Sequence, residues 1–248
     1  MTDFDGTLSE IAPRPDEAVV TDAVRAGIDN LSRLESVTFG VVSGRGLDNV
    51  RDRVGPVAEF VAGVHGLEIE GPGVRYHHEA LDGVAPILAG ILGTAERQMD
   101  WCPSLLLEDK KFAITCHTRM VPPQYVKRAL KEFQSIAQPQ IDAAVLKTQT
   151  GADTLELLPA VDWNKGRATE WIRSKVHPPH DEAVAILYLG DDRTDEDAFA
   201  ALGKGDIAVG VGDRPHANLL DWRLAGPASV GRLLGFLARF RAEDGHQA

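Results

Sequence analysis

Two clusters of carboxylates dominate the chemistry open to this chain of 248 residues. The first is Asp3-Phe4-Asp5-Gly6-Thr7-Leu8, where alternate positions of an extended segment point the same way and Gly6 permits an abrupt turn. Asp3 and Asp5 then face one spot. The second is Gly190-Asp191-Asp192-Arg193-Thr194-Asp195-Glu196-Asp197, directly after an apolar run that ends at Leu189. Carboxylates gathered within a few ångströms repel one another and are tolerated mainly around a hard cation. Asp3, Asp5, Asp191, Asp192 and Asp195 are therefore candidate ligands for Mg²⁺. Magnesium takes one or two carboxylates together with waters and phosphate oxygens, so the clusters also suggest a phosphorylated substrate.

Two further positions offer phosphate ligands: Ser43, a hydroxyl in the turn Ser43-Gly44-Arg45, and Lys165, at the start of a helix in Asn164-Lys165-Gly166. A metal, an ionised aspartate, a lysine and a hydroxyl around one phosphate equip a site for phosphoryl transfer through an aspartyl-phosphate. Asp3 would attack phosphorus. Asp5 would protonate the leaving alkoxide and then take a proton from the hydrolytic water. Lys165 and the cation would offset charge on the transferring group. Each piece alone also has an ordinary reading. A DxDG is common in calcium loops, the acidic run 191–197 suits a helix start, Ser43 can belong to a simple turn, and Lys165 can be an exposed helix lysine. What favours chemistry is that all four occur in order, each near a strand end.

The elements that must hold these residues are short, apolar and β-branched. Val37–Ser43, Glu59–Val64, Ala183–Leu189 and Ile207–Val211 read as buried strands, with amphipathic helical stretches such as Val24–Leu34 between several of them. Apolar strands alternating with helices predict a Rossmann-like, doubly wound parallel sheet. In such sheets ligands bind beyond the carboxyl ends of the strands, where both acidic clusters fall. Residues 79–159 follow another pattern: a helix at 81–99, strands at 104–107 and 112–117, a helix at 123–136, and strands at 143–148 and 154–158 turning at Gly151-Ala152-Asp153. This αββαββ block reads as an α+β lid inserted into an α/β core made of residues 1–78 and 160–248. Residues 243–248 read as a frayed tail.

The net charge of −11 argues against a nucleic-acid or anionic-membrane partner. Cys102 and Cys116 form neither a disulfide framework nor a zinc motif and read as reduced core thiols. With no membrane-length apolar run and no signal-peptide pattern, the expectation is a cytoplasmic monomer acting on a small molecule. His77-His78-Glu79 reads as a solvated junction, as do His177 and His180, Gly210-Val211-Gly212 as a loop, and Trp163, Trp171 and Trp222 as core or interface residues.

The ordered motifs resemble those of the haloacid dehalogenase-like phosphatases, on Asp3-x-Asp5, Ser43, Lys165 and Gly190-Asp191-Asp192 with Asp195. More narrowly the chain resembles the trehalose-6-phosphate phosphatase branch, through residues 3–8, 43–45, 63–68 (Gly-x-His-Gly-x-Glu) and 190–199. The lid carries that branch's pattern as well, in Glu108-Asp109-Lys110, His117-Thr118-Arg119 and Glu156 before Pro159. The resemblance implies that Glu108, Lys110, Arg119 and Glu156 hold the sugar, and it places Ser43, Gly44, Arg45 and His65 in the substrate-binding set. Read without the resemblance, Glu108, Lys110 and Arg119 also suit cross-strand ion pairs on a solvated face.

Two positions depart from that pattern. Only Met1 and Thr2 precede Asp3, far short of a usual central strand, so the expectation is a truncated or misannotated start with apolar residues upstream. Leu158 stands where relatives often carry a basic residue, which removes one lid contact. The function implied is Mg²⁺-dependent hydrolysis of trehalose 6-phosphate. The alternatives are a lidded phosphatase for another sugar phosphate or a glycosyl phosphoglycerate, a sugar-phosphate mutase, and a non-catalytic sugar-phosphate sensor or regulatory partner of a synthase.

Overall fold

A computed structural model describes residues 1–176, 183–215 and 217–244; His177 and His180 lie outside them, as do the last four residues of the expected tail. The chain divides into two compact units, Met1–Tyr76 with Trp163–Ala248, and His77–Asp162.

The first unit is built on strands β1 (Gly40–Val42), β2 (Phe60–Gly63), β3 (Glu68–Gly71) and β4 (Val74–His77), which lie in that order, and on β9 (Leu187–Gly190), β10 (Ile207–Val211) and β11 (Trp222–Leu224). Strands β1–β2, β9–β10 and β10–β11 pair in parallel. Residues 1–3 join the two groups. Thr2 forms parallel bridges with both Val41 and Leu189, its amide donating to the Gly40 carbonyl at 3.0 Å, while the Asp3 amide donates to the Leu189 carbonyl at 2.8 Å. Asp3 therefore leaves the middle of the sheet.

Alternation along these strands decides which face each helix covers. Val41, Val61, Leu189 and Val209 pack with Val24, Ile28, Val50, Val230 and Leu234 of helices α1 (Asp22–Leu31), α2 (Leu47–Val54) and α7 (Pro227–Asp244). Their neighbours Val42, Ala62, Tyr188 and Ala208 pack with Ala168, Ile172, Ala198 and Phe199 of α5 (Lys165–Arg173) and α6 (Glu196–Ala201) on the other face. This is the doubly wound arrangement expected from the apolar runs.

Several expected boundaries shift. The run at 37–43 yields strand only at 40–42, and 183–189 becomes 187–190. Gly210 and Val211 belong to β10 rather than to a loop. Trp222 is not a core residue, being 70% exposed on the edge strand β11. Strand β3 runs antiparallel to β2, a return that the uniformly parallel expectation did not contain.

The second unit has strands β5 (Leu106–Asp109), β6 (Ile114–His117), β7 (Leu146–Gly151) and β8 (Thr154–Pro159) in the order β5-β6-β8-β7, all antiparallel, with helices α3 (Leu81–Gln98) and α4 (Pro123–Asp142). Helix α4 runs past the expected end at 136 and takes Pro139 into its last turn. Strands β7 and β8 turn at Ala152-Asp153, with Asp153 in the left-handed region at φ 59°. One sheet face, through Ile114, Cys116, Leu155 and Leu157, packs on Leu88, Ile91, Ala129 and Phe133 of the helices. Cys102 and Cys116 are free and buried in that core, and burial pushes the Cys116 thiol up to about 12. Among the described residues, no helix is long and apolar enough to cross a membrane.

Candidate active site

The first unit gathers its acids at the carboxyl ends of the central strands. Asp3 follows the Thr2 bridge, Ser43 follows β1 and Asp191 follows β9. Lys165 opens α5, whose first turn is capped by the Asn164 side chain accepting from the Arg167 amide at 3.0 Å. A reciprocal capping arrangement between Asp192 and Asp195 starts the turn after β9, so Asp195 Oδ2 accepts from the Asp192 amide at 3.1 Å. That bond leaves Asp195 Oδ1 aimed inward.

Lys165 Nζ sits between two carboxylates, 2.9 Å from Asp3 Oδ1 and 2.8 Å from Asp195 Oδ1, and Lys165 is only 2% exposed. The Tyr188 hydroxyl donates to the same Asp195 oxygen at 3.0 Å. Burial works against the lysine's charge, but Asp195 and Asp3 outweigh it and hold the ammonium above the usual lysine range. Burial also pushes the Tyr188 phenol up, reinforced by Asp195 and Asp3. The carboxyls bear the cost of desolvation: burial raises Asp3 to about 7 despite Lys165, and burial together with Asp3 and Asp195 raises Asp191 to about 9.

Asp3, Asp191 and Asp195 each offer an oxygen within 4.8 Å of the other two. A single lysine does not neutralise three buried acids. A hard divalent cation among them would let all three ionise, so the donor set fits one. The chain is closely fitted here. Gly6 has φ +75°, and a Cβ at that position would lie 2.1 Å from Asp191 Oδ2. At Gly190 a Cβ would lie 2.3 Å from the Asp195 carboxyl carbon. Both glycines of the motifs are there so that carboxylates can come close to the backbone.

Asp5 and Asp192, read from the sequence as further ligands, lie outside this group of three. Asp5 is taken by Arg45, whose Nε and Nη2 each donate to it at 2.7 Å, and Asp192 serves as the helical cap. Ser43 is buried, and its hydroxyl accepts from the Arg45 amide at 3.2 Å. His65, with φ 56°, packs its ring on Gly44, where a Cβ would stand 2.8 Å from His65 Cε1. Ser43, Gly44, Arg45 and His65 thus form one continuous patch.

In the second unit, strand register lines up Glu108, Thr115, Glu156 and Gln149 in a row across all four strands, on the face opposite the helices. Glu156 Oε1 accepts from Lys110 Nζ at 2.6 Å and from the Thr115 hydroxyl at 3.0 Å. His117 Nε2 lies 2.8 Å from Glu108 Oε2. Arg119 pairs with Asp153 at the β7–β8 turn, 3.4 Å away. Leu158, the departing position, is buried.

Sequence reasoning missed Thr115 and Gln149 of that row, together with Tyr188 and Arg214 beside the acids. The row was legible in principle from strand alternation once Glu108 and Glu156 were singled out. Tyr188 was hidden in an apolar run, and Arg214 lies in a loop far along the chain, with no motif to mark it.

Comparison with known proteins agrees with this geometry. A trehalose-phosphatase family model matches residues 1–218. The trehalose-phosphate phosphatase of Mycobacterium marinum is 34% identical over 244 residues, covering 95% of this chain and 60% of the relative. Trehalose-phosphate phosphatase B of Arabidopsis thaliana is 29% identical over 251 residues, covering 96% of this chain and 66% of the relative. The chain thus spans about 60% of the length of the first of these relatives. Among solved structures, the C-terminal domain of Candida albicans trehalose-6-phosphate phosphatase superposes with a TM-score of 0.79 at 22% identity, over 96% of this chain and 91% of that one. A haloacid dehalogenase-like hydrolase from Bacteroides thetaiotaomicron shares the fold with a TM-score of 0.64 at 14% identity, over 95% and 97% of the two chains. With the four acid, hydroxyl and lysine motifs placed on one doubly wound sheet and the family match running across both units, the chain belongs to the trehalose-phosphatase family.

Proposed function

We propose that this chain is a phosphomonoester hydrolase that converts trehalose 6-phosphate to trehalose and inorganic phosphate. The observation that carries the reading is Asp3, buried at the centre of the sheet with Lys165 Nζ at 2.9 Å and two further carboxylates beside it, in a chain matched by the family.

Asp3 is the nucleophile: its carboxylate forms a bond to phosphorus as the bond to the sugar oxygen breaks, giving an aspartyl-phosphate that water then cleaves. Lys165 favours the ionised form of Asp3 and donates to the transferring group. Asp5 supplies the proton to the leaving oxygen and later removes one from the attacking water, which requires its release from Arg45. Ser43, with Gly44, Arg45 and His65 beside it, receives the phosphate. Asp3, Asp191 and Asp195 hold Mg²⁺, which when bound neutralises charge on the phosphate oxygens. Glu108 and Glu156 accept hydrogen bonds from sugar hydroxyls, while Lys110 and Arg119 donate.

The test is inorganic phosphate release from a panel of sugar phosphates with and without Mg²⁺. Mg²⁺-dependent release with trehalose 6-phosphate as the preferred substrate is expected. Preference for another sugar phosphate or a glycosyl phosphoglycerate would change the substrate, an isomerised sugar phosphate would indicate a mutase, and binding with no release would indicate a sensor.

A further inference from the structure

The loop after β10 brings a second cation to the carboxylate group. Arg214 Nη2 lies 3.2 Å from Asp191 Oδ2, and Nη1 lies 3.7 Å from Asp192 Oδ1. The loop is held in this shape from outside. Gly212 turns it with φ +70°, and the Arg223 guanidinium of β11 donates both to the Gly212 carbonyl and, at 2.7 Å, to the Pro215 carbonyl. The backbone is thus gripped on either side of Arg214.

The two cations at the acids differ in a way that assigns them different tasks. Lys165 is 2% exposed and bound tightly to two carboxylates at 2.8 and 2.9 Å. Arg214 is 37% exposed and approaches its acids at the longer 3.2 and 3.7 Å, without the paired 2.7 Å geometry that Arg45 makes with Asp5. Lys165 has no way out, whereas Arg214 can turn into water. The oxygen it holds belongs to Asp191, one of the three acids able to take a metal.

We propose that Arg214 is the resident counter-cation of the carboxylate group, which pairs with Asp191 in the metal-free protein and gives up that oxygen when a divalent cation arrives. The inference rests on the cation site assigned under the proposed function. It makes metal uptake a displacement of Arg214 from beside Asp191.

Calorimetric titration of metal-stripped protein with MgCl₂, together with melting temperatures in chelator and in saturating Mg²⁺, tests this on wild type, Arg214→Gln and Arg214→Lys. Losing the competitor is expected to tighten Mg²⁺ binding about fivefold in Arg214→Gln, the scale of one partly exposed ion pair. The metal-free variant should melt lower and gain more from Mg²⁺ than wild type does, with Arg214→Lys in between. Unchanged or weaker Mg²⁺ binding in Arg214→Gln, or a melting temperature lowered equally with and without Mg²⁺, would overturn the inference and leave the metal site standing. Wild type that takes up no Mg²⁺ would remove both.

Discussion

Arg45 holds Asp5 with two arms of its guanidinium, Nε on Oδ2 and Nη2 on Oδ1, each at 2.7 Å, while Nη1 donates to Asn49 Oδ1 at 2.9 Å. The arginine is buried, its charge spread over the Phe4 ring at 5.0 Å, whereas the Asp5 side chain is 42% exposed. Removing the acid strands a buried cation. Because the acid itself is half in water, the loss is expected below that of a fully buried pair, so Asp5→Ala should cost about 1–3 kcal/mol in chemical denaturation. A double-mutant cycle with Arg45→Ala should show coupling of about 1 kcal/mol, and additivity would mean that the pair contributes nothing.

Lys165 is the charge on which the buried acids depend. Lys165→Met keeps the length but leaves Asp3 and Asp195 without their cation, and should lower metal-free stability by about 3–5 kcal/mol. Phosphate release should fall by at least about a hundredfold even where saturating Mg²⁺ restores the fold. A variant that turns over at the wild-type rate would remove Lys165 from the chemistry.

Gly6→Ala tests how closely the backbone is fitted to Asp191. A residue with a Cβ at φ +75° costs about 1–2 kcal/mol for the left-handed backbone alone. The added methyl would also occupy the place of Asp191 Oδ2, 2.1 Å away. The carboxylate must move, so weaker Mg²⁺ binding by calorimetry is expected alongside the stability loss. Gly73→Ala, at φ +67° with open space around it, should show only the backbone cost.

The pH dependence of the metal-free protein follows from Asp3 and Asp191. Burial raises their values from the ordinary 3.8 to about 7 and about 9, so the folded state holds these protons more tightly than the unfolded state does. Stability contributed by the two groups is therefore full below pH 3.8, falls as the pH rises, and has been lost once it passes the folded values. Melting temperatures in chelator should decline across that window, less steeply in Asp191→Asn, and saturating Mg²⁺ should flatten the decline. A metal-free melting temperature that climbs between neutral pH and pH 9 would contradict the electrostatics of the site.

Recognition of the sugar is tested in the second unit. Glu156→Gln keeps the shape but removes the charge that pairs with Lys110 at 2.6 Å. With trehalose 6-phosphate, kcat/KM should fall by about 10- to 100-fold, the worth of a hydrogen bond to a charged group. Release from a small aryl phosphate should stay near wild type. Equal losses on both substrates would place the effect on folding instead.

The sequence by itself determined the kind of architecture and the residues on which the proposed chemistry draws. Unbroken apolar strands alternating with amphipathic helices admit few architectures, because a strand apolar on both faces must be covered on both. Asp3, Ser43, Lys165 and Asp191 were legible because each stands at the end of such an element, where local pattern and chemical type coincide. Tertiary structure alone decided the partners. The Asp5 carboxylate pairs with Arg45, Asp192 caps a helix, and Arg119 pairs with Asp153 at the β7–β8 turn. A side chain's partner depends on distances of a few tenths of an ångström between segments remote along the chain, and neither periodicity nor spacing encodes them. Arg214 beside Asp191 is the clearest case, brought there by a loop that Arg223 clamps from a different strand.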